Sequence, residues 1–191
     1  MDIDTLNKIK RDATLLHSRQ AIASALDKLV LSLTKDYAEL NPVFLVVMNG
    51  GMIFAGQLLP KLDFPLQIDY CHATRYRGET SGGEIEWKVV PHMPLNDRHV
   101  ILVDDILDEG YTLQAIIDDC QQRGVASVKT MVLIEKLHNR KAIANMRPDY
   151  CELQTPDHYV FGYGMDVNHY WRNADGIYIL NDEKKELSSK F

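Results

Sequence analysis

The stretch that most limits what this chain can fold into is residues 100–113, VILVDDILDEGYTL. Four apolar residues run straight into Asp104 and Asp105, followed by Asp108 and Gly110, after which Leu113, Ile116, Ile117 and Cys120 recur at helical spacing. A short, continuous, β-branched run reads as a strand covered on both faces in a parallel sheet, and the change of period after Gly110 reads as a helix. Strand, polar turn and helix in succession make half of a βαβ unit, and open α/β sheets bind ligands at such carboxyl strand ends. Backbone N–H groups of residues 109–113, with a helix N-terminus behind them, suit an anion such as a phosphate. The acceptor-only pair Asp104 and Asp105 suits ribose hydroxyls or a hydrated cation. Together these features imply a phosphorylated sugar.

The rest of the chain supplies neighbours for that strand. Residues 18–40 form the longest helical pattern, with Ile22, Leu26, Leu29, Val30, Leu33 and Tyr37 on one face, and Pro42 is expected to end it. Residues 42–48 read as a second apolar strand, followed by Asn49-Gly50-Gly51 and a helical run through Leu59. Adjacent glycines at a strand–helix turn let backbone N–H groups approach a ligand closely. Alone they would only mark a tight turn. Beside the acidic stretch they suggest a second phosphate cradle, suited to a ligand with phosphate at one end and pyrophosphate at the other. A third strand, residues 66–75, leads into the Gly-, Ser- and Thr-rich segment 76–83, read as a mobile lid that closes over substrate and excludes water before a returning strand at 84–90. Further strands are expected at 127–134, 148–153, 159–161 and 176–180, and a solvated Lys-rich tail after Asn181. Repetition of strand, helix and strand gives an α/β class with a parallel sheet in one domain.

Composition narrows the function classes. The 191 residues are enough for one stable core, and a formal net charge of −6 argues against broad nucleic-acid binding. Cys71, Cys120 and Cys151 stand far apart in apolar contexts with no CxxC pair, which reads as reduced core thiols in a cytoplasmic protein without a metal cluster. No apolar run approaches the length that spans a bilayer, and the N-terminal residues lack a signal-peptide core.

The acidic stretch resembles the phosphoribosyl-diphosphate signature of type I phosphoribosyltransferases, in which an apolar strand, two acidic residues, Ile or Val and two variable positions lead to Thr-Gly-x-Thr. The segment 156–166, PDHYVFGYGMD, closed by Arg172, is similar to the Pro-Asp-x-Phe/Tyr-Val-Val/Ile-Gly-Tyr-Gly-x-Asp run of the hypoxanthine-guanine type of purine salvage enzyme. The resemblance covers about residues 42–172. It implies the type I phosphoribosyltransferase fold: a central, mostly parallel sheet flanked by helices, with a small hood over the carboxyl strand ends built from the N- and C-terminal segments, a core of about residues 18–150, and a flexible lid loop.

It also implies roles. Asp108 would handle the proton at purine N7, Lys136 would donate to the 6-oxo group, Tyr159 would stack on the base, and Val160 would meet its edge. Asp104 and Asp105 would face the ribose, Glu109, Gly110, Tyr111 and Thr112 would form the 5′-phosphate loop, and Asp108 would also belong to this ribose- and phosphate-binding set. Asn49, Gly50, Gly51 and Arg172 would meet pyrophosphate, with Arg75 and Tyr76 in the lid. Asp166 would hold Mg²⁺ through water beside the base and pyrophosphate, aided by Asp104 and Asp105. The implied reaction is transfer of 5-phosphoribosyl from phosphoribosyl diphosphate to hypoxanthine or guanine, giving IMP or GMP and pyrophosphate, in a homodimer or homotetramer.

Three positions depart from the family pattern. Glu109 stands where a loop Thr is usual, so its ionised side chain must point away from a bound phosphate. Asn49 replaces a frequent Lys, and Arg75 replaces a lid Ser and could return the charge lost at Asn49. Glu109 and Asn49 keep open a nucleotide-sensing regulatory protein on the same fold, and a transferase preferring xanthine turns on groups around the base that the sequence does not place.

Overall fold

The computed structural model describes residues 1–75 and 85–181; of Arg75 and Ile85 the backbone alone is described. In chain order the elements are α1 (Ile3–Asp12), β1 (Thr14–His17), α2 (Arg19–Tyr37), β2 (Val43–Val47), α3 (Gly51–Leu58), β3 (Gln67–Arg75), β4 (Ile85–Val89), β5 (His99–Leu107), α4 (Tyr111–Gln122), β6 (Ser127–Lys136), β7 (Leu153–Thr155), β8 (Val160–Phe161) and β9 (Ile177–Ile179).

Six strands form the main sheet in the order β4-β3-β2-β5-β6-β7, parallel throughout except for the antiparallel edge pair β3–β4. The β-branched runs of β2 and β5 lie side by side at its centre, Val43 opposite Val100 and Val46 opposite Val103. Alternate residues feed two cores. On one face Phe44, Val46, Ile101 and Val103 pack with Ile22, Leu26, Leu29 and Leu33 of α2 and with Phe54 and Leu58 of α3. On the other, Val43, Leu45, Val100 and Leu102 pack with Leu113, Ile116 and Cys120 of α4. Each such side chain, fully removed from water, contributes about 1.5–3 kcal/mol. A continuous apolar strand therefore serves two layers of helices, as its lack of alternation predicts.

The chain leaves β2 toward β3 on one side and reaches β5 on the other, so the strand order reverses between β2 and β5. At such a point the two outgoing loops diverge and leave a crevice at the carboxyl strand ends.

A separate three-stranded sheet, order β1-β9-β8, joins the two ends of the chain. Helix α1, absent from the sequence reading, buries Leu6 and Ile9, and Ile9 clusters with Phe161 of this sheet and with Val167 and Leu180. Its signal is Asp2, whose carboxylate accepts from Thr5 N–H at 2.8 Å and caps the first turn.

Boundaries differ from expectation in two places. Helix α2 stops at Tyr37 rather than near Leu40, because residues 38–40 tighten into a turn closed by Leu40 N–H donating to Tyr37 O at 3.0 Å, before Pro42 exerts any effect. Residues 148–152 form no strand: Tyr150 makes one isolated bridge to Met131, and the Asp149 carboxylate accepts from Thr130 N–H at 2.8 Å, occupying a donor that a strand partner would take. Pairing resumes only at β7.

All three cysteines are free thiols, and burial pushes Cys71 up to about 12 and Cys120 and Cys151 up to about 11, which makes them poor nucleophiles at neutral pH. Among the described residues no helix is long and apolar enough to cross a membrane.

Candidate active site

The loops after β2 and β5 open onto a cleft of about 540 Å³, adjoined by a second hollow of about 320 Å³ along residues 104–113. Asn49, Gly50, Asp104, Asp105, Asp108, Thr112, Lys136, Tyr159, Val160, Asp166 and Arg172 line the first, and Glu109, Gly110 and Tyr111 join in lining the second. The predicted lid, residues 76–83, lies outside the described residues, as does the Arg75 side chain.

Two helices begin at this cleft, and their N-termini differ from the others. Asp2 caps α1 and Ser18 caps α2 through side-chain oxygens, whereas α3 starts after Gly50 and α4 after Gly110 with no side-chain cap. Gly110 sits at φ 88°, a left-handed conformation that favours glycine. An uncapped helix N-terminus presents backbone donors and the positive end of the helix dipole to an anion.

The Gly50-Gly51 pair has a cause that sequence reasoning did not supply. A Cβ on Gly50 would lie 2.3 Å from Asp105 Oδ2, and one on Gly51 would lie 2.6 Å from the Val103 carbonyl oxygen. Gly51 is required first for the turn to fit against the β5 backbone, and Gly50 leaves room for the Asp105 carboxylate, both ahead of any ligand. Gly164, at φ 116°, closes the same packing, since its Cβ would strike the Gly50 carbonyl.

At the floor, Asp105 is 7% exposed and its N–H donates to Asp104 Oδ1 at 2.9 Å. Burial pushes the Asp104 carboxyl well above the usual range, and the neighbouring Asp105 charge adds to this. Asp105 is also raised by burial, with Arg172 opposing and Asp166 reinforcing the rise. Asp105 thus stands between the charges of Asp104 and Asp166. The three carboxylates offer oxygen donors only, and among the described residues no group of three or more His, Cys, Asp or Glu is arranged to hold a metal unaided. Such a set fits a hard cation that keeps its waters and takes substrate phosphate oxygens as further ligands.

Asp166 and Arg172 form an ion pair at 2.6 Å rather than separate groups. Arg172 also donates to Gly164 O at 2.6 Å, and Asp166 Oδ2 accepts from His169 N–H at 2.7 Å. The Tyr159 hydroxyl donates to Asp166 O at 3.0 Å while its ring packs on the Phe161 cluster, so it lines the cleft as part of a core.

At the other end, Lys136 donates to Asp108 Oδ2 at 2.5 Å and His138 Nε2 meets Asp108 Oδ1 at 2.7 Å. Burial pulls the Asp108 carboxyl upward, but the hydrogen bond and charge of Lys136, with the hydrogen bond to His138, outweigh it and hold the group below its ordinary value. Lys141 donates to the carbonyls of Leu107, Asp108 and Lys136 at 3.1, 2.6 and 2.8 Å, tying the ends of β5 and β6 together. Glu109 turns its carboxylate toward Arg140, 3.9 Å away, and Arg140 grips Asp157 through two bonds of 2.6 and 3.0 Å.

Sequence reasoning missed His72, Lys88 and His138. Lys88 and His72 project into the cleft from the antiparallel pair β4–β3, and Lys88 and Arg172 both hold the His72 imidazole down, after burial itself. Alternation in β4, with Ile85, Trp87 and Val89 apolar, carried the signal for Lys88. Nothing near His138 pointed to Asp108, which is thirty residues away.

Comparisons with known proteins agree with this geometry. Residues 12–169 match the Phosphoribosyl transferase domain family. The chain is 34% identical over 178 residues to the hypoxanthine-guanine phosphoribosyltransferase of Streptococcus pneumoniae, covering 93% of this chain and 96% of that protein. It is 33% identical over 168 residues to the hypoxanthine-guanine-xanthine phosphoribosyltransferase of Tritrichomonas foetus, covering 88% and 91%. A solved hypoxanthine phosphoribosyltransferase from Staphylococcus aureus superposes with a TM-score of 0.85 at 29% identity, covering 96% of this chain and 97% of that one.

Proposed function

Since the chain belongs to the phosphoribosyltransferase family, we propose that it transfers 5-phosphoribosyl from phosphoribosyl diphosphate to hypoxanthine or guanine, releasing pyrophosphate. The observation that carries this reading is the meeting, in one cleft, of two uncapped helix N-termini, the adjacent carboxylates Asp104 and Asp105, and the pair Asp108 and Lys136.

The 5′-phosphate is received by the N–H groups of residues 109–113, and the turn of Glu109 toward Arg140 keeps that carboxylate off the phosphate. Asp104 and Asp105 take the ribose hydroxyls. Asn49, Gly50 and Gly51, at the start of α3, and Arg172 meet pyrophosphate. Asp166, with Asp104 and Asp105 near, would hold Mg²⁺ through water, and the ion would supply charge neutralisation for the pyrophosphate leaving group. The purine lies on Tyr159 with its edge on Val160. Lys136 donates to the 6-oxo oxygen, which an amino group at that position could not accept. Asp108, ionised by its cationic neighbours, accepts the N7 proton as the new glycosidic bond forms at N9.

Purine salvage in the cytoplasm goes with this reading, supported by the buried free thiols. So does assembly into a homodimer or homotetramer, supported by the exposed apolar face of Met52, Ile68 and Tyr70. The relatives' names give no support to a nucleotide-sensing regulator. The name of the Tritrichomonas relative keeps xanthine as a substrate to be tried. A chromatographic assay with phosphoribosyl diphosphate, Mg²⁺ and hypoxanthine, guanine, xanthine or adenine tests the reading. Nucleotide from the first two, lost on chelation of Mg²⁺, supports it; conversion of adenine alone, or of no purine, contradicts it.

A further inference from the structure

Asp108 has a second partner outside the phosphoribosyl signature. The His138 side chain is 4% exposed, in the loop just beyond β6, with Nε2 2.7 Å from Asp108 Oδ1. On the far side of the ring the Arg140 N–H donates to His138 Nδ1 at 3.0 Å. A ring nitrogen that accepts carries no proton, so the network assigns the ring proton to Nε2, which donates it to Asp108. Lys136 holds the other carboxylate oxygen.

The two donors differ in freedom. In the proposed reaction the Lys136 ammonium is needed at the purine 6-oxo group and must share or release Asp108. His138 is fixed by a backbone N–H and walled in by the loop, so its bond to Asp108 persists through that exchange. We propose that His138 is a positioning residue: its Nε2–H keeps the Asp108 carboxylate ionised and aimed into the cleft while the purine engages Lys136. This rests on the assignment of Asp108 as the base for N7.

Among the described residues, the charged groups that face this pair are Lys136 from β6, Lys141 and Arg140 from the loop after it, Glu109 next to Asp108, and Asp157 on the far side of Arg140. The cations nearest the Asp108 carboxylate favour its charged form, in keeping with its lowered proton affinity despite burial. Because Nδ1 is occupied, the ring has no exit for a second proton, and its part is to orient rather than to relay.

His138→Phe removes the donor at similar volume, and His138→Gln restores an N–H near the Nε2 position. Two readouts separate orientation from mere packing: the pH dependence of kcat with hypoxanthine, and the titration of the Asp108 carboxyl followed by ¹³C NMR in the ligand-free protein. With Phe, kcat falls about tenfold while KM for hypoxanthine stays within about twofold, and the acidic limb and the Asp108 midpoint both move to higher pH, since a hydrogen bond to a charged group is worth about that factor or more. Gln recovers most of both. An unchanged Asp108 midpoint in the Phe variant, or a Gln variant no better than Phe, overturns the proposal. If the Phe variant does not fold, Gln against Asn, whose shorter amide stops short of Asp108, gives the same comparison. If the wild-type protein makes no nucleotide, the proposed function fails separately, and the Asp108 titration by itself still decides what His138 does.

Discussion

Adjacent glycines at the start of α3 give two opposite experiments. A methyl group on Gly51 would lie 2.6 Å from the Val103 carbonyl, 3.2 Å from a Val46 methyl and 3.3 Å from the Asp104 backbone. All three belong to the central buried strands β2 and β5, which have no room to move. Overpacking of this kind costs about 1–3 kcal/mol, occasionally more, and the better helix propensity of Ala returns at most about 1 kcal/mol. Gly51→Ala should therefore lose about 2 kcal/mol, or roughly 4–8 °C in Tm at this chain length. A methyl group on Gly50 meets a side chain instead, 2.3–2.8 Å from the atoms of the Asp105 carboxylate. That group can rotate away, so Gly50→Ala should lower Tm by less than about 3 °C. The rotated carboxylate is lost to the cleft, however, and kcat/KM for phosphoribosyl diphosphate should fall about a hundredfold, as about 1 Å of misplacement can cost. Differential scanning calorimetry and steady-state kinetics on both variants read the two effects. Full activity in Gly50→Ala, or equal stability losses in the two, would refute the packing argument.

Lys136→Ala should raise KM for hypoxanthine at least about tenfold while leaving that for phosphoribosyl diphosphate nearly unchanged, since the hydrogen bond from a charged group to the base is lost, and should also lower kcat, since Asp108 loses the same cation; equal rises in the two KM values, measured by steady-state kinetics, count against its placement at the 6-oxo group. The Asp104 carboxyl is raised by burial and by Asp105, so the folded state binds more protons than the unfolded one and stability declines as pH climbs from the ordinary carboxylate range through the raised folded value. Metal-free Asp104→Asn should accordingly melt higher than wild type at pH 7–8 and lose that advantage near pH 4, while its activity drops; a lower Tm at neutral pH would contradict the sign. In the proposed reading Asn49 leaves the pyrophosphate side of the cleft without the Lys frequent at that position, and Lys88 lines the same cleft. Lys88→Ala should raise KM for phosphoribosyl diphosphate severalfold and spare that for purine, and the same kinetics on Arg75→Ala, run in parallel, show which cation supplies the charge.

The sheet and most of the cleft were legible because their signals are local. Residues 100–113 carry the strand, the carboxylates and the helix start in one span, and Asn49-Gly50-Gly51 repeats that grammar at the neighbouring strand. What escaped depends on distant pairing. Helix α1 and β1 gain their place from Phe161, Leu180 and β9, at the opposite end of the chain. The role of Gly50 lies in Asp105, across two strands, and the His138 bond to Asp108 follows from the β5–β6 register that brings Leu107 opposite Glu135. Lys88 was hidden differently: its strand pattern was visible, but which face of β4 looks into the cleft is set by the antiparallel pairing with β3. The tight Asp166–Arg172 pair also shows that two expected ligand contacts begin as partners of each other.

The most direct test of the account is a crystal structure of the protein with IMP, Mg²⁺ and pyrophosphate. It predicts the 5′-phosphate on the N–H groups of residues 109–113, the purine on Tyr159 with its 6-oxo oxygen at Lys136 Nζ and N7 within hydrogen-bond reach of Asp108, and pyrophosphate at Gly50-Gly51 and Arg172. A nucleotide seated elsewhere, or one whose base lies away from Asp108 and Lys136, would contradict it.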